Sequence, residues 1–119
     1  MAANDIDVVF ADAMGVAELD RQEAQALAAV FGPYGVPVTA PKTMTGRLYA
    51  GGAPLDIVAA LLSIRDGVVP PTVSVTDVVA DYRLDLVVGA PRQLPVRSAL
   101  VVARGYGGFN AALIVRGCQ

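Results

Sequence analysis

Short apolar runs, separated by small, polar and proline-containing stretches, organise this chain. Ile6 to Ala11 (IDVVFA) reads as a buried strand that empties into a loop over residues 12–19. Asp20 and Glu23 form a capping-box pattern, and Ala24, Leu27, Ala28 and Phe31 recur at helical spacing until Gly32 and Pro33. That pattern predicts a helix over about 21–31. Val36 to Thr39 reads as a second strand, with Pro37 tolerable only at its start or on an edge. Beyond the glycine-rich TGRLYAGGAP, the stripe Leu55, Val58, Leu61 and Leu62 predicts an amphipathic helix whose apolar face forms core, with Gly67 as its C-cap. Pro54 fits either the first turn of that helix or a kink in a longer one beginning near Gly46.

Residues 67–97, with Pro70, Pro71, Pro91 and Pro95, read as an ordered excursion holding a short extended piece at Leu84 to Val88. Ser98 to Ala103 and Ala111 to Val115 are continuous apolar runs around RGYGGFN, whose three glycines permit a tight reversal. They predict an antiparallel hairpin. The element order implies an α/β fold, a mixed sheet with packed helices and a closing β-hairpin, in one domain spanning residues 1–119. Nothing ahead of the first strand supplies a further strand to that sheet.

The 119 residues are 55% hydrophobic and 17% charged, without tryptophan. Burial must therefore come from aliphatic side chains, and such a composition excludes disorder. A small domain has much surface for its volume, so this apolar excess points to a covering partner chain. The apolar helical run Ile57 to Leu62 falls far short of the roughly 20 residues that span a bilayer. The acidic start MAANDID is unlike a secretory leader. The expectations are no membrane association and a cytoplasmic location. A net charge of −2 with nine scattered basic residues gives no footprint for nucleic acid. Cys118, the single cysteine, can build neither an intrachain disulfide nor a cysteine-based metal site, and it reads as a tail thiol. No metal and no cofactor are expected.

The segment PKTMTGRLYAGGAPLDIVAALLSIRDGVVPPT resembles a stretch of the thiolase-fold ketosynthases. In that family a lysine-containing turn, a Thr-Gly-His and a small-residue helix lead to a Val-Pro-Pro-Thr turn. IDVVFADAMGVAELDRQEAQAL aligns with the family's strand, His-Gly-Thr loop and acid-capped helix, and ARGYGGFNAALIV resembles its closing hairpin. The resemblance implies the C-terminal portion of a thiolase-like fold. In the family two histidines assist decarboxylation and stabilise the developing carbanion or oxyanion, work that needs neutral imidazole donors. This chain contains no histidine. Asp12 stands at the first position and Arg47 at the second; one repels negative charge, and the other is a permanent cation.

With both histidines replaced, and with FAD, Gly-Val-Ala-Glu-Leu-Asp and PKTMTGRLYAGG as they stand, the sequence resembles the chain length factors of type II aromatic polyketide synthases. The resemblance implies a non-catalytic subunit that pairs with a ketosynthase and helps shape the elongation tunnel, with the acyl carrier protein as an indirect partner. It also implies that the N-terminal part of the factor, including the nucleophilic cysteine's half and the first strand of the C-terminal half, lies outside this chain. Two other readings stay open. One is a segment of a divergent beta-ketoacyl synthase, an acyltransferase whose catalytic residues lie on another chain; the other is an independent acyl- or carrier-protein-binding domain.

No residue is nominated as catalytic. The vestigial active-site positions are Asp12, Arg47 and Lys42, and the pocket-wall turn is Gly105, Tyr106, Gly107, Gly108, Phe109 and Asn110. Asp12 and Arg47 pair across the pocket or, alternatively, Asp12 turns its loop while Arg47 faces solvent or a partner. Lys42 matches a family lysine that organises the pocket, and a structural hydrogen bond or ion pair is the plainer reading. Tyr106, at a position where an aromatic gates the family's acyl pocket, reads as a packed wall residue or as a gate. The turn lacks the ending of a phosphate loop and precedes a strand, so nucleotide binding is not expected.

Overall fold

The computed structural model describes residues 1–118. A five-stranded mixed sheet is built from β1 (Val8–Phe10), β2 (Pro37–Thr39), β4 (Asp85–Leu86), β6 (Ser98–Arg104) and β7 (Asn110–Arg116), with helices α1 (Ala17–Phe31) and α2 (Gly52–Asp66). The strand order is β4-β2-β1-β6-β7. All neighbours run parallel except the β6/β7 hairpin, whose register pairs Ser98 with Arg116 and Arg104 with Asn110. Two short strands, β3 (Val68–Val69) and β5 (Arg92–Gln93), form a separate antiparallel pair.

β1 alternates between two cores. Val8 and Phe10 join Ala60, Val69, Val87, Val96, Ala99 and Val101, with Ile57, Ala59 and Ile64 of α2 packed against them. Val9 and Ala11 join Ile6, Leu27, Val36 and Val38, with Phe31, Leu100 and Val102 alongside. A three-residue strand that is apolar at every position suits a sheet covered by a helix on each face. β1 is therefore the middle of the sheet, with a parallel partner on either side.

Three further expectations change. Helix α1 begins at Ala17 rather than near 21, and Val16, not Asp20, is its N-cap residue, without a side-chain bond. The two acids bond farther back along the chain, Asp20 to Gly15 N–H at 3.2 Å and Glu23 to the loop after β1. The predicted core stripe of α2 is instead exposed, with Leu55 at 39%, Val58 at 51%, Leu61 at 49% and Leu62 at 44%. The buried face carries Asp56, Ala60 and Ser63. The reason is size: small side chains let α2 lie close on β6, and Ile57, Ala59 and Ile64 fill the flanks. Finally, β7 is apolar in sequence yet largely exposed, because it forms the sheet edge.

Pro37 opens β2, as the sequence required, although β2 lies inside the sheet. Pro54 sits in the first turn of α2, after a separate 3-10 turn at Tyr49–Gly51, so a long kinked helix from Gly46 is not formed. Gly67 ends α2 in the left-handed region at φ 65°. Thr39 donates from its hydroxyl to Pro70 C=O at 2.5 Å, and Ala40 N–H donates to the Thr72 hydroxyl at 3.0 Å. These bonds fasten the Val-Pro-Pro-Thr turn to the end of β2, which fixes the start of the segment leading to the candidate site. Among the described residues no helix is long and apolar enough to cross a membrane.

Candidate functional site

The loop leaving β1, the segment between β2 and α2, and the base of the hairpin converge at the C-terminal ends of β1 and β2. Their charged side chains interlock there. Asp12 is buried at 3% exposure. Its Oδ1 accepts the Arg104 backbone N–H at 3.1 Å and lies 3.6 Å from Arg47 Nη2, while its Oδ2 lies 3.4 Å from Arg104 Nε. Arg47 Nη2 donates to the Arg104 carbonyl at 2.9 Å. Arg104 Nη2 donates to the Leu19 carbonyl at 3.0 Å, which ties the hairpin to the first turn of α1. The sequence-based pairing of Asp12 with Arg47 is thus present as a loose contact, and Arg104 is the closer partner.

Glu23 completes the cluster from α1. Its two carboxylate oxygens accept Asp12 N–H at 2.8 Å and Ala13 N–H at 2.9 Å. This grips the loop as an anion-binding turn grips a ligand. Burial pushes the Glu23 carboxyl above its usual range, while the two N–H groups and then Arg104 pull it back. Sequence reasoning assigned Glu23 to a helix cap and did not single out Arg104. The signal for Arg104 was a cation directly after an apolar run, at the base of a glycine turn.

Lys42 forms a second unit. Its Nζ lies 2.8 Å from Asp56 Oδ2, with the Asp56 side chain 3% and the Lys42 side chain 14% exposed. The approach is off-axis, so that oxygen has no aligned hydrogen bond and charge attraction holds the pair. The structural ion pair expected for Lys42 is observed, with Asp56 as the partner that the sequence did not identify.

Two hollows adjoin the cluster. The smaller, about 50 Å³, is lined by Asp12, Lys42, Arg47, Leu55, Ala103 and Arg104. It has room for a few waters, not an acyl chain. The larger, about 970 Å³, is an open groove between Met14, Val16 and Leu19 on one side and the hairpin turn on the other. Gly105, Gly107, Gly108, Phe109 and Asn110 line it, with Arg47 and Arg104 also on its surface. The Tyr106 side chain lies outside the described residues, and with it the gate reading. Cys118 is free and exposed, and lines a different hollow with Asp5, Ile64 and Arg97. Among the described residues no three acidic or thiol side chains gather as a metal-binding set.

The chemistry open to this arrangement is narrow. The carboxylates of Asp12 and Glu23 are enclosed by backbone N–H groups and guanidinium groups. A carboxylate at the floor opposes developing negative charge, and Arg47 and Arg104 are held by carbonyls and by Asp12.

The family model described as beta-ketoacyl synthase, C-terminal domain, matches residues 1–76. The chain belongs to that family. It is 66% identical over 116 residues to the tetracenomycin polyketide synthase ketoacyl synthase beta subunit of Streptomyces glaucescens, covering 98% of this chain and 28% of that relative. Among solved structures it is similar to the ishigamide ketosynthase/chain length factor, with TM-score 0.96, 27% identity, and coverage of 100% of this chain and 30% of the other. A type II polyketide synthase acyl-carrier protein in complex with its ketosynthase bound to the hexaketide gives TM-score 0.93 at 25% identity, again covering all of this chain and 30% of the other. The chain thus spans less than a third of the length of each of these relatives. The fold is that of the thiolase-like ketosynthase C-terminal domain, and the match extends through the hairpin, which the family model does not reach.

Proposed function

We propose that this beta-ketoacyl synthase C-terminal domain is the C-terminal layer of a chain length factor, the non-condensing partner of a ketosynthase in a type II aromatic polyketide synthase. One observation carries this reading. Where the resemblance places two imidazoles, the chain has Asp12, locked by Arg104, and Arg47, bonded to the Arg104 carbonyl. Decarboxylation of a malonyl thioester needs neutral donors aimed at the developing oxyanion. A buried carboxylate at the floor does the opposite, so the residues hold backbone in place and leave condensation to the partner.

The remaining geometry supports a shaping role. The groove beside the cluster is walled by apolar residues and a glycine-rich turn, and its form depends on how that turn is held. The open apolar face of α2 fits a subunit that buries it against other polypeptide. The partners in this reading are the ketosynthase, the rest of the chain length factor and, through them, the acyl carrier protein. No cofactor enters it.

The test is reconstitution of the full-length protein carrying this domain. Alone with malonyl-loaded carrier protein it should release no carbon dioxide above the carrier protein control. With a ketosynthase added, native mass spectrometry should show a stoichiometric assembly, and condensation should begin. Decarboxylation or condensation without the ketosynthase would refute the reading.

A further inference from the structure

We infer that Arg104 is a positioning residue that sets the width of the groove beside the pseudo-site, and thereby the product length the assembly favours. This rests on the chain length factor reading. Arg104 is the last residue of β6, directly before the turn that forms one wall of the groove. It makes four contacts with separate atoms. Its N–H binds Asp12 Oδ1, its carbonyl accepts from Arg47, its Nε faces Asp12 Oδ2, and its Nη2 binds the Leu19 carbonyl.

The turn has little of its own to fix its orientation. Gly107 and Gly108 adopt φ 76° and 84°, a region that glycine enters freely. Among the described residues, the bonds within it are Gly105 N–H to Phe109 C=O at 2.8 Å and Asn110 Nδ2 to Gly108 C=O at 3.1 Å. Its placement over the groove is therefore decided at its base. Leu19 lies on the opposite wall, so the Arg104 guanidinium spans the two walls, and its fixed planar fork sets their separation. A lysine ammonium keeps the charge but cannot serve Asp12 and the Leu19 carbonyl together in that geometry.

The experiment uses the full-length protein assembled with its ketosynthase and carrier protein, supplied with malonyl thioester. Arg104→Lys is compared with wild type and with Arg65→Lys, a control at an exposed pair on α2. The readout is the ratio of shorter or longer products to the main one, which loss of total turnover alone does not move. Arg104→Lys should change that ratio roughly tenfold, the size associated with about one methylene of pocket space, while native mass spectrometry shows normal assembly. Asp12→Asn, which keeps an oxygen for the Arg104 N–H but removes the charge, should shift the ratio in the same direction by less. An unchanged ratio in assembled Arg104→Lys overturns the inference. So does failure of both variants to assemble, which would assign Arg104 to folding alone. Wild type that supports no elongation with any ketosynthase would instead defeat the chain length factor reading.

Discussion

Replacing Lys42 by Met isolates the energetics of the buried Lys42–Asp56 pair. The charges are 2.8 Å apart at their nearest atoms, and the Asp56 side chain is only 3% exposed. At an effective dielectric constant of about 20 the gross attraction is on the order of 5 kcal/mol. Desolvation of both groups offsets much of this, so the pair adds little net stability. Breaking it from one side is different. Lys42→Met leaves a buried carboxylate without a counter-charge or an aligned hydrogen bond to Oδ2, and should cost about 3–5 kcal/mol. Asp56→Asn should cost less, about 1–2 kcal/mol, because Lys42 is 14% exposed and its flexible stem can carry the ammonium to solvent. The double variant should recover most of the Lys42→Met loss. Urea unfolding of the full chain, read by far-UV circular dichroism with a common slope, gives the four free energies and the coupling. If Lys42→Met costs no more than Asp56→Asn, or the two losses add, the pair is not the buried unit described.

Glu23 gives a pH-dependent expectation. Its carboxyl is raised in the folded state, chiefly by burial, so folding favours the protonated form and that contribution is lost as pH rises through the folded value. Wild type should therefore gain on Glu23→Gln between neutral pH and pH 4.5, the ordinary Glu value, in urea midpoints; the opposite sign would mean that the two N–H bonds outweigh burial. At Gly35 a Cβ would lie 1.8 Å from the Phe31 carbonyl oxygen, so Gly35→Ala should lower stability by about 3 kcal/mol or more. Gly46→Ala, with φ 75° and open space around the added carbon, should cost only about 1 kcal/mol in the same denaturation assay. On the exposed face of α2, Leu61→Ser should change folding by less than about 0.5 kcal/mol. If the proposed reading holds, the same change should weaken assembly of the full-length protein with a ketosynthase, measured by native mass spectrometry.

Local chemistry in the sequence located most elements, since IDVVFA, VPVT and the two apolar runs around RGYGGFN each carry their own stop signals. What it could not decide was which face of α2 is buried. That helix is apolar nearly all round, so periodicity offered several stripes, and the small size of Ala60 and Ser63 chose among them through contact with β6. The capping box that the sequence suggests for Asp20 and Glu23 is absent. Their donors proved to be Asp12, Ala13 and Gly15 rather than the start of the helix, because the chain folds back over the loop. Asp12 and Arg47 were nominated through a family pattern, whereas Arg104 binds across 92 residues to Asp12 and 57 to Arg47. No local signal reports pairings of that separation.

The cluster gains meaning from its charge balance. Asp12 meets Arg47 and Arg104, Asp56 meets Lys42, and Glu23 is held by backbone N–H groups. A catalytic centre normally leaves a group unsatisfied until substrate arrives. Here the raised Glu23 has both oxygens on backbone N–H groups, and Arg104 holds Asp12, Arg47 and Leu19 through its backbone and Nη2, while its buried Nε and Asp12 Oδ2 meet by charge at 3.4 Å without an aligned hydrogen bond. Such self-neutralisation favours rigidity over reactivity. Under the proposed chain length factor reading, it offers a physical route by which a condensing site can lose its imidazoles while the loop after β1, the segment before α2 and the hairpin keep their mutual positions. The shape of the groove then outlasts the chemistry beside it, and shape is what a length-determining subunit must supply.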